Sequence, residues 1–339
     1  MAIVLDGMGS DQYPEPEVLA AVEAARLFHE EIILVGQEDL LRPRLQAINT
    51  GGENVRIVHA PDVLEMGEKA VDSARRKPNN SMAVGLELVK TGQASAFVTA
   101  GNTGAAMFSS LRKLGRLPNV ARPALTATFP TRTGRCIVLD IGANAECRPE
   151  FLMQFAIMGS VYAEKLLRIS NPRIGLLANG EEPGKGNELV KAAYPLLQNS
   201  GVNFIGNVES KELFGGHVDV VVTDGFTGNV LLKTSEAAAR LLTDKLKDEL
   251  SASLITKLGA ALAMNAFRNL KKTMDPTEYG AAPLLGIDGL AFVGHGRSNA
   301  AALVNAIRVA REAALMDLQG ALRIAIQERL ENIHTASQE

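Results

Sequence analysis

Cys136-Ile137-Val138-Leu139-Asp140-Ile141-Gly142-Ala143-Asn144 is followed by a helical stretch at 151–167 and then by Arg173-Ile174-Gly175-Leu176-Leu177. This passage decides the fold class. Residues 136–139 are apolar throughout, as in a strand covered by helices on both faces. The run stops at a carboxylate and a glycine, residues that turn the chain. A helical pattern succeeds it, and then a second apolar run. Strand, loop, helix and strand in that order form the unit of a parallel sheet.

The same alternation extends in both directions along the 339 residues. Short apolar runs stand at 3–5, 32–35, 55–58, 95–99, 124–128, 203–205, 218–222 and 290–293. Between them, residues 15–29 carry Val18, Val22, Ala25 and Phe28 at helical spacing, and 303–314 behaves likewise. The expected fold is an α/β protein, a three-layer α/β/α body around a mainly parallel sheet, in one domain over 1–339. One segment breaks the rhythm. From about 227 to 272 the chain is almost continuously helix-forming, which predicts a helical hairpin projecting from the body. A C-terminal amphipathic helix is expected at about 315–333.

Bulk properties exclude several classes. Net charge is −3, so no global field favours nucleic acid. Aromatics make up 4% and Trp is absent, which removes the usual stacking platforms for bases or sugars. No apolar run approaches the ~18–20 residues that span a bilayer. Met1 leads at once into Ala2-Ile3-Val4-Leu5-Asp6, which reads as a first strand and not as a secretory leader. The two cysteines, Cys136 and Cys147, form no C-x-x-C pair. A reducing cytoplasm is the expected location. Neither cysteine has a local His or Asp pattern that marks a nucleophile, and no metal-ligand spacing occurs.

In open α/β sheets, ligands collect at the carboxyl ends of strands. Three loops at such ends carry polar groups. Ala100-Gly101-Asn102-Thr103-Gly104 combines glycines with the start of a helix, whose free N–H groups suit an anion. The same residues also suit an ordinary turn capped by Asn102 or Thr103. Asp140 to Asn144 and Thr223-Asp224-Gly225-Phe226-Thr227-Gly228-Asn229 each place a carboxylate, then glycine, then an amide. Either Asp can serve as a turn cap or as part of a site. In a parallel sheet the three loops converge at one sheet edge. Lys185 lies between Gly184 and Gly186, where an ammonium can reach an anion or simply be solvated. Gly294-His295-Gly296-Arg297-Ser298-Asn299 resembles a dinucleotide fingerprint only in part, because Asn299 stands at the third glycine. His295 is the best placed of the five histidines for acid–base work.

With these loops assembled, the sequence resembles the bacterial phosphate acyltransferase family of fatty acid and phospholipid synthesis. The resemblance runs from Leu5 to about Arg311. It rests on Asp6-Gly7-Met8-Gly9-Ser10-Asp11, Gly101-Asn102-Thr103-Gly104-Ala105, Leu139 to Asn144, and Gln154-Phe155-Ala156-Ile157-Met158-Gly159. It continues with Gly180-Glu181-Glu182, Lys185-Gly186-Asn187, Asp224 to Asn229, Glu278-Tyr279-Gly280-Ala281-Ala282-Pro283-Leu284-Leu285-Gly286, His295-Gly296 and Ser298-Asn299. The sequence departs from the family's usual residues at Gly7, Ser10, Ala281 and Arg297.

The resemblance implies a phosphotransacetylase-like and isocitrate-dehydrogenase-like fold, usually a homodimer. It implies transfer of a long-chain acyl group from acyl-carrier protein to inorganic phosphate. The acyl phosphate then feeds a membrane glycerol-3-phosphate acyltransferase, and no cofactor or metal is called for. On that basis phosphate binding falls to Gly101, Asn102, Thr103, Gly104 and Lys185. Asn144, Asn229 and His295 are candidate oxyanion donors, oriented by Asp140 and Asp224. Leu254, Leu258 and Leu262 share a helical face within 251–272, beside Lys257, Arg268, Lys271 and Lys272. That face fits either an anionic membrane surface, giving a peripheral cytoplasmic enzyme, or the hairpin of a dimer partner. Competing readings are an acyl-CoA phosphotransacetylase, a nicotinamide-dependent dehydrogenase and a non-catalytic scaffold for lipid synthesis.

Overall fold

The computed structural model describes residues 1–49, 51–274 and 280–336. Glu278, Tyr279 and the side chains of Lys271 and Lys272 lie outside the described residues. The strands are β1 (Ala2–Asp6), β2 (Glu31–Gly36), β3 (Val55–His59), β4 (Ala96–Thr99), β5 (Ala124–Pro130), β6 (Arg135–Leu139), β7 (Ile174–Leu177), β8 (Phe204–Val208), β9 (Val220–Val222), β10 (Ala282–Leu285) and β11 (Ala291–Val293). The helices are α1 (Glu15–Phe28), α2 (Glu38–Ile48), α3 (Ala70–Arg76), α4 (Ser81–Lys90), α5 (Thr103–Lys113), α6 (Pro149–Leu166), α7 (Glu188–Gln198), α8 (Ser210–Gly215), α9 (Gly225–Ser251), α10 (Leu254–Leu262), α11 (Met264–Met274), α12 (Ala300–Leu315) and α13 (Leu318–Ala336).

All eleven strands join one sheet in the order β3-β2-β1-β4-β11-β10-β5-β6-β9-β7-β8. Alternate residues of most strands enter opposite cores. Ile3 and Leu5 of β1 face one core, and Val4 faces the other. Ile137 and Leu139 of β6 divide in the same way from Cys136 and Val138. The first core is closed by α1, α2, α6, α7, α12 and α13, the second by α3, α4, α5 and α8. This is the expected three-layer arrangement. Both sheet faces are covered, which is why the strands read as continuous apolar runs.

The sheet is mostly parallel but consists of two halves that run in opposite directions. β3-β2-β1-β4-β11 are mutually parallel, as are β6-β9-β7-β8. Antiparallel pairings of β10 with β11, β10 with β5, and β5 with β6 join the halves. The register fixes where the halves end. Val293, last in β11, pairs with Ala282, and Leu284, two residues further down β10, pairs with Leu125. Thr126, one step back up β5, pairs with Leu139, last in β6. The two sets of carboxyl ends therefore come level to within about one residue, some 3 Å. The polar loops do not converge at one sheet edge, as a uniformly parallel sheet requires. They converge at the central seam, where two half-sheets point at each other.

The helical excursion is three helices. α9 spans 27 residues, about 40 Å at 1.5 Å per residue. Only Gly225 and Gly228 of α9 are buried, Leu231 and Leu232 still pack on the core, and the helix leaves the body beyond about residue 236. α10 follows after Ala252 and Ser253, with the Ser253 hydroxyl accepting the Thr256 N–H at 3.1 Å. At the C-terminus the chain breaks between α12 and α13 at Asp317, which has a φ of 48°. α13 then packs on α6.

Candidate active site

The Asp140 carboxylate organises the loop after β6. It is fully buried. Its Oδ1 accepts the N–H groups of Leu125 (3.0 Å), Gly142 (3.1 Å) and Ala143 (2.9 Å). Its Oδ2 accepts the backbone N–H of Asn144 (2.6 Å) and the Asn144 side-chain amide (2.9 Å). Burial pushes the carboxyl above its ordinary range, and these donors pull it back. Asp140 thereby binds the loop to the start of β5, within the seam.

The base of α9 lies across this loop. The Gly225 N–H donates to the Asn144 carbonyl at 2.8 Å. A Cβ at Gly228 would lie 1.9 Å from the Asp140 carbonyl oxygen, so only glycine allows the helix to approach this closely. Asp224 caps the helix, its carboxylate accepting the Thr227 N–H and hydroxyl, both at 2.8 Å. One turn on, Asn229 Nδ2 donates to the Ile141 carbonyl at 3.1 Å.

On the other side of the seam, Gly101 to Gly104 lead into α5. Asn102 caps that helix by accepting the Ala105 N–H at 3.0 Å, and its own amide donates to the Met66 carbonyl at 3.0 Å. The N–H groups of Thr103 and Gly104, in the first turn, have no intrahelical acceptor. Anion-suited donors and a turn cap thus coexist in one structure. Beside them, His295 Nδ1 accepts the Arg297 N–H at 3.2 Å. In the neutral ring that bond assigns the proton to Nε2.

A cleft of about 380 Å³ opens at the seam, within the range of roughly 300–1,000 Å³ usual for small-molecule sites. Thr103, Gly104, Thr126, Thr128, Asn229, Lys233, Glu236, His295 and Ser298 are among its polar lining. Met107, Leu125, Leu232, Leu284, Val293, Ala302 and Ala306 are among its apolar walls. Of the residues expected from sequence, Thr103, Gly104, Asn229 and His295 are brought together here. Gly101, Asn102, Asp140 and Asp224 stand behind the lining and hold it. Asn144 departs from its expected role as an oxyanion donor. Both hydrogens of its amide are engaged, by Pro123 O at 2.7 Å and by Asp140. Lys185 also departs from expectation. It is exposed on the loop after β7 and does not line the cleft.

The lysine that does line it is Lys233, whose ammonium pairs with Glu236 at 3.0 Å. Asn229, Leu232, Lys233 and Glu236 recur at i, i+3, i+4 and i+7, one face of α9. That spacing is visible in the sequence once Asn229 is placed in the site. Neither cysteine lines the cleft. Cys136 is core, and burial pushes the Cys147 thiol up to about 12, far from a reactive thiolate.

Comparison with known proteins agrees with this architecture. A family model described as fatty acid synthesis protein matches residues 1–319. The phosphate acyltransferase of Acidobacterium capsulatum is 48% identical over 311 residues, covering 91% of this chain and 92% of that protein. That of Pelotomaculum thermopropionicum is 47% identical over 327 residues, covering 96% and 95%. Among solved structures, the EutD phosphotransacetylase from Staphylococcus aureus superposes with a TM-score of 0.63 at 17% identity, covering 93% of this chain and 94% of that one. A phosphotransacetylase from Streptococcus pyogenes gives 0.62 at 16%, with the same coverage. These two likenesses establish the phosphotransacetylase-like fold. With the family model matched over residues 1–319 and nearly half its residues shared with named relatives, the chain belongs to the fatty acid synthesis protein family and is an acyltransferase.

Proposed function

We propose that the protein transfers a fatty acyl group from the thioester of acyl-carrier protein to inorganic phosphate, giving acyl phosphate and free carrier thiol. The observation that carries this reading is the cleft itself, where anion donors adjoin apolar walls. A phosphate oxygen attacks the thioester carbonyl carbon. The carbonyl oxygen becomes an oxyanion, the C–S bond breaks, and the thiolate leaves and takes a proton. Phosphate is the nucleophile, so no covalent enzyme intermediate is needed. The protein's task is to hold two reactants together and to stabilise developing charge.

The N–H groups of Thr103 and Gly104 at the positive end of α5, with the Lys233 ammonium, suit phosphate. Asn229, which keeps one amide hydrogen beyond its bond to Ile141, and the His295 Nε2–H are candidate donors to the oxyanion. Lys185, with its exposed ammonium outside the cleft lining, is a weaker candidate for phosphate than Lys233. The protein is further proposed to act as a homodimer at the cytoplasmic membrane surface, supplying a membrane glycerol-3-phosphate acyltransferase. No described helix is long and apolar enough to cross a membrane. The exposed α10 face is the support for surface contact.

The test is an assay with long-chain acyl-carrier protein and phosphate, without added nicotinamide or metal. Release of carrier thiol together with a hydroxylamine-reactive acyl phosphate is the expected outcome. Turnover only with short acyl-CoA would favour the phosphotransacetylase reading instead. A requirement for NAD would sink both.

A further inference from the structure

Directly beneath the polar turn lies a buried carboxylate that the chemistry above does not use. Asp6 ends β1 and Thr99 ends β4, and the pairing of Leu5 with Val98 places them side by side. Both are fully buried. The Thr99 hydroxyl donates to Asp6 Oδ2 at 2.6 Å and accepts the Gly101 N–H at 2.9 Å. Asp6 Oδ1 accepts the Met8 N–H at 3.1 Å. The Thr99 carbonyl accepts the Gly294 N–H at 2.7 Å, one residue before His295. Thr99 therefore holds both polar loops on this side of the cleft, one through its side chain and one through its backbone.

Two features show that this arrangement is not ordinary core packing. A carboxylate buried without a cation is costly unless hydrogen bonds compensate. Among the described residues, Asp6 forms no ion pair and relies on hydrogen bonds alone. The loop that follows it is also fitted to the turn. A Cβ at Gly9 would come within 2.9 Å of the backbone nitrogens of both Ala100 and Gly101. The β1 loop thus wraps the very backbone that Thr99 anchors.

We propose that Asp6 and Thr99 form the positioning unit of the phosphate site: Asp6 fixes the Thr99 hydroxyl, Thr99 fixes Gly101, and so the Thr103 and Gly104 N–H groups are set toward the anion. This rests on the phosphate-acceptor reading given above. Neither residue touches substrate. Because Gly101 spends its N–H on Thr99, the turn cannot rotate to offer that donor, and the anion is left to the N–H groups of Thr103 and Gly104.

Thr99→Val keeps the shape and removes the hydroxyl, so Asp6 loses its Thr99 bond, keeping Ser81, and the Gly101 N–H loses its acceptor. Thr99→Ser restores both bonds. Kinetics, calorimetric binding of inorganic phosphate to the acyl-free protein, and thermal melting are measured together. The Val variant is expected to raise KM and Kd for phosphate about 10-fold or more, with KM for the acyl donor changed less than 2-fold. The Ser variant is expected to return both phosphate constants to within about 2-fold of the parent. Asp6→Asn, which cannot satisfy both the Thr99 hydroxyl and the Met8 N–H with acceptors, provides a second folded variant expected to weaken phosphate in the same sense. If folded Val and Asn variants lose only melting temperature while phosphate constants stay put, the pair is structural and the proposal falls. Phosphate binding that weakens as described in a protein unable to transfer acyl groups would uphold the positioning unit and sink the acyltransfer reading alone. No phosphate binding by the parent protein would overturn the proposal.

Discussion

Lys233 and Lys185 illustrate what places a single side chain in a site. Lys185 has the more suggestive neighbours, a glycine on each side. Lys233 sits in mid-helix with no local signature, yet lines the cleft because Asn229 fixes the rotation of α9 four residues earlier. Its bond to Glu236 is an exposed i,i+3 pair, worth little to stability. Lys233→Ala is therefore expected to fold normally. Its KM for phosphate should rise roughly 10- to 100-fold, the worth of one charge-assisted contact. Lys185→Ala, tested beside it, should change that constant by less than about 3-fold. The reverse ranking would return the phosphate contact to Lys185. Asn144 teaches the complementary point. Its amide is occupied by Pro123, 21 residues earlier, a partner that no local pattern names.

Among the elements, α1 and the α9–α11 excursion depart furthest from what amphipathic patterning suggests. α1 buries Glu17 completely in its first turn, where Oε1 accepts the Ser10 N–H at 2.8 Å and Oε2 has no partner. Burial pushes its carboxyl from the ordinary 4.5 to about 7, with the nearby Asp6 adding to the rise. The folded state therefore holds this proton more tightly than the unfolded chain. Its contribution to stability is complete below about pH 4.5 and is lost as pH rises to about 7, a change of roughly 3 kcal/mol. Glu17→Gln keeps an acceptor for Ser10 and cannot ionise. Its stability advantage over the parent should grow between about pH 4.5 and 7 and level off above that in denaturant titrations. Parallel stability curves for the two proteins would show that Glu17 does not titrate in that window.

At the scale of the whole molecule, the α9–α11 excursion exposes a surface the body does not cover. Leu254, Leu258 and Leu262 of α10 are 81%, 70% and 87% exposed, far beyond what a folded surface leaves open singly. Lys257 and Arg268 lie in the same segment, each worth about 1 kcal/mol near anionic lipid. Changing Leu258 and Leu262 to Glu should release the enzyme from anionic vesicles while dimerisation and activity in solution persist. Loss of the dimer instead would mark the face as a subunit contact. The alternation of apolar runs and helical repeats was enough to determine the layered α/β class, because covering both sheet faces writes burial directly into each strand. The sequence likewise marked the helical excursion and the turn at 101–104, whose signals are local. It could not determine that the half-sheets oppose each other. That depends on three successive antiparallel pairings, β11 with β10, β10 with β5 and β5 with β6, an odd number of reversals, and the middle strand β10 is only four residues long and lacks any strand signature beyond its length of apolar chain. Nor could it place Lys233 in the cleft or withdraw Asn144 and Lys185 from its lining. Those outcomes follow from strand register and from hydrogen bonds between segments far apart in the chain, and only the tertiary structure decides which segments meet.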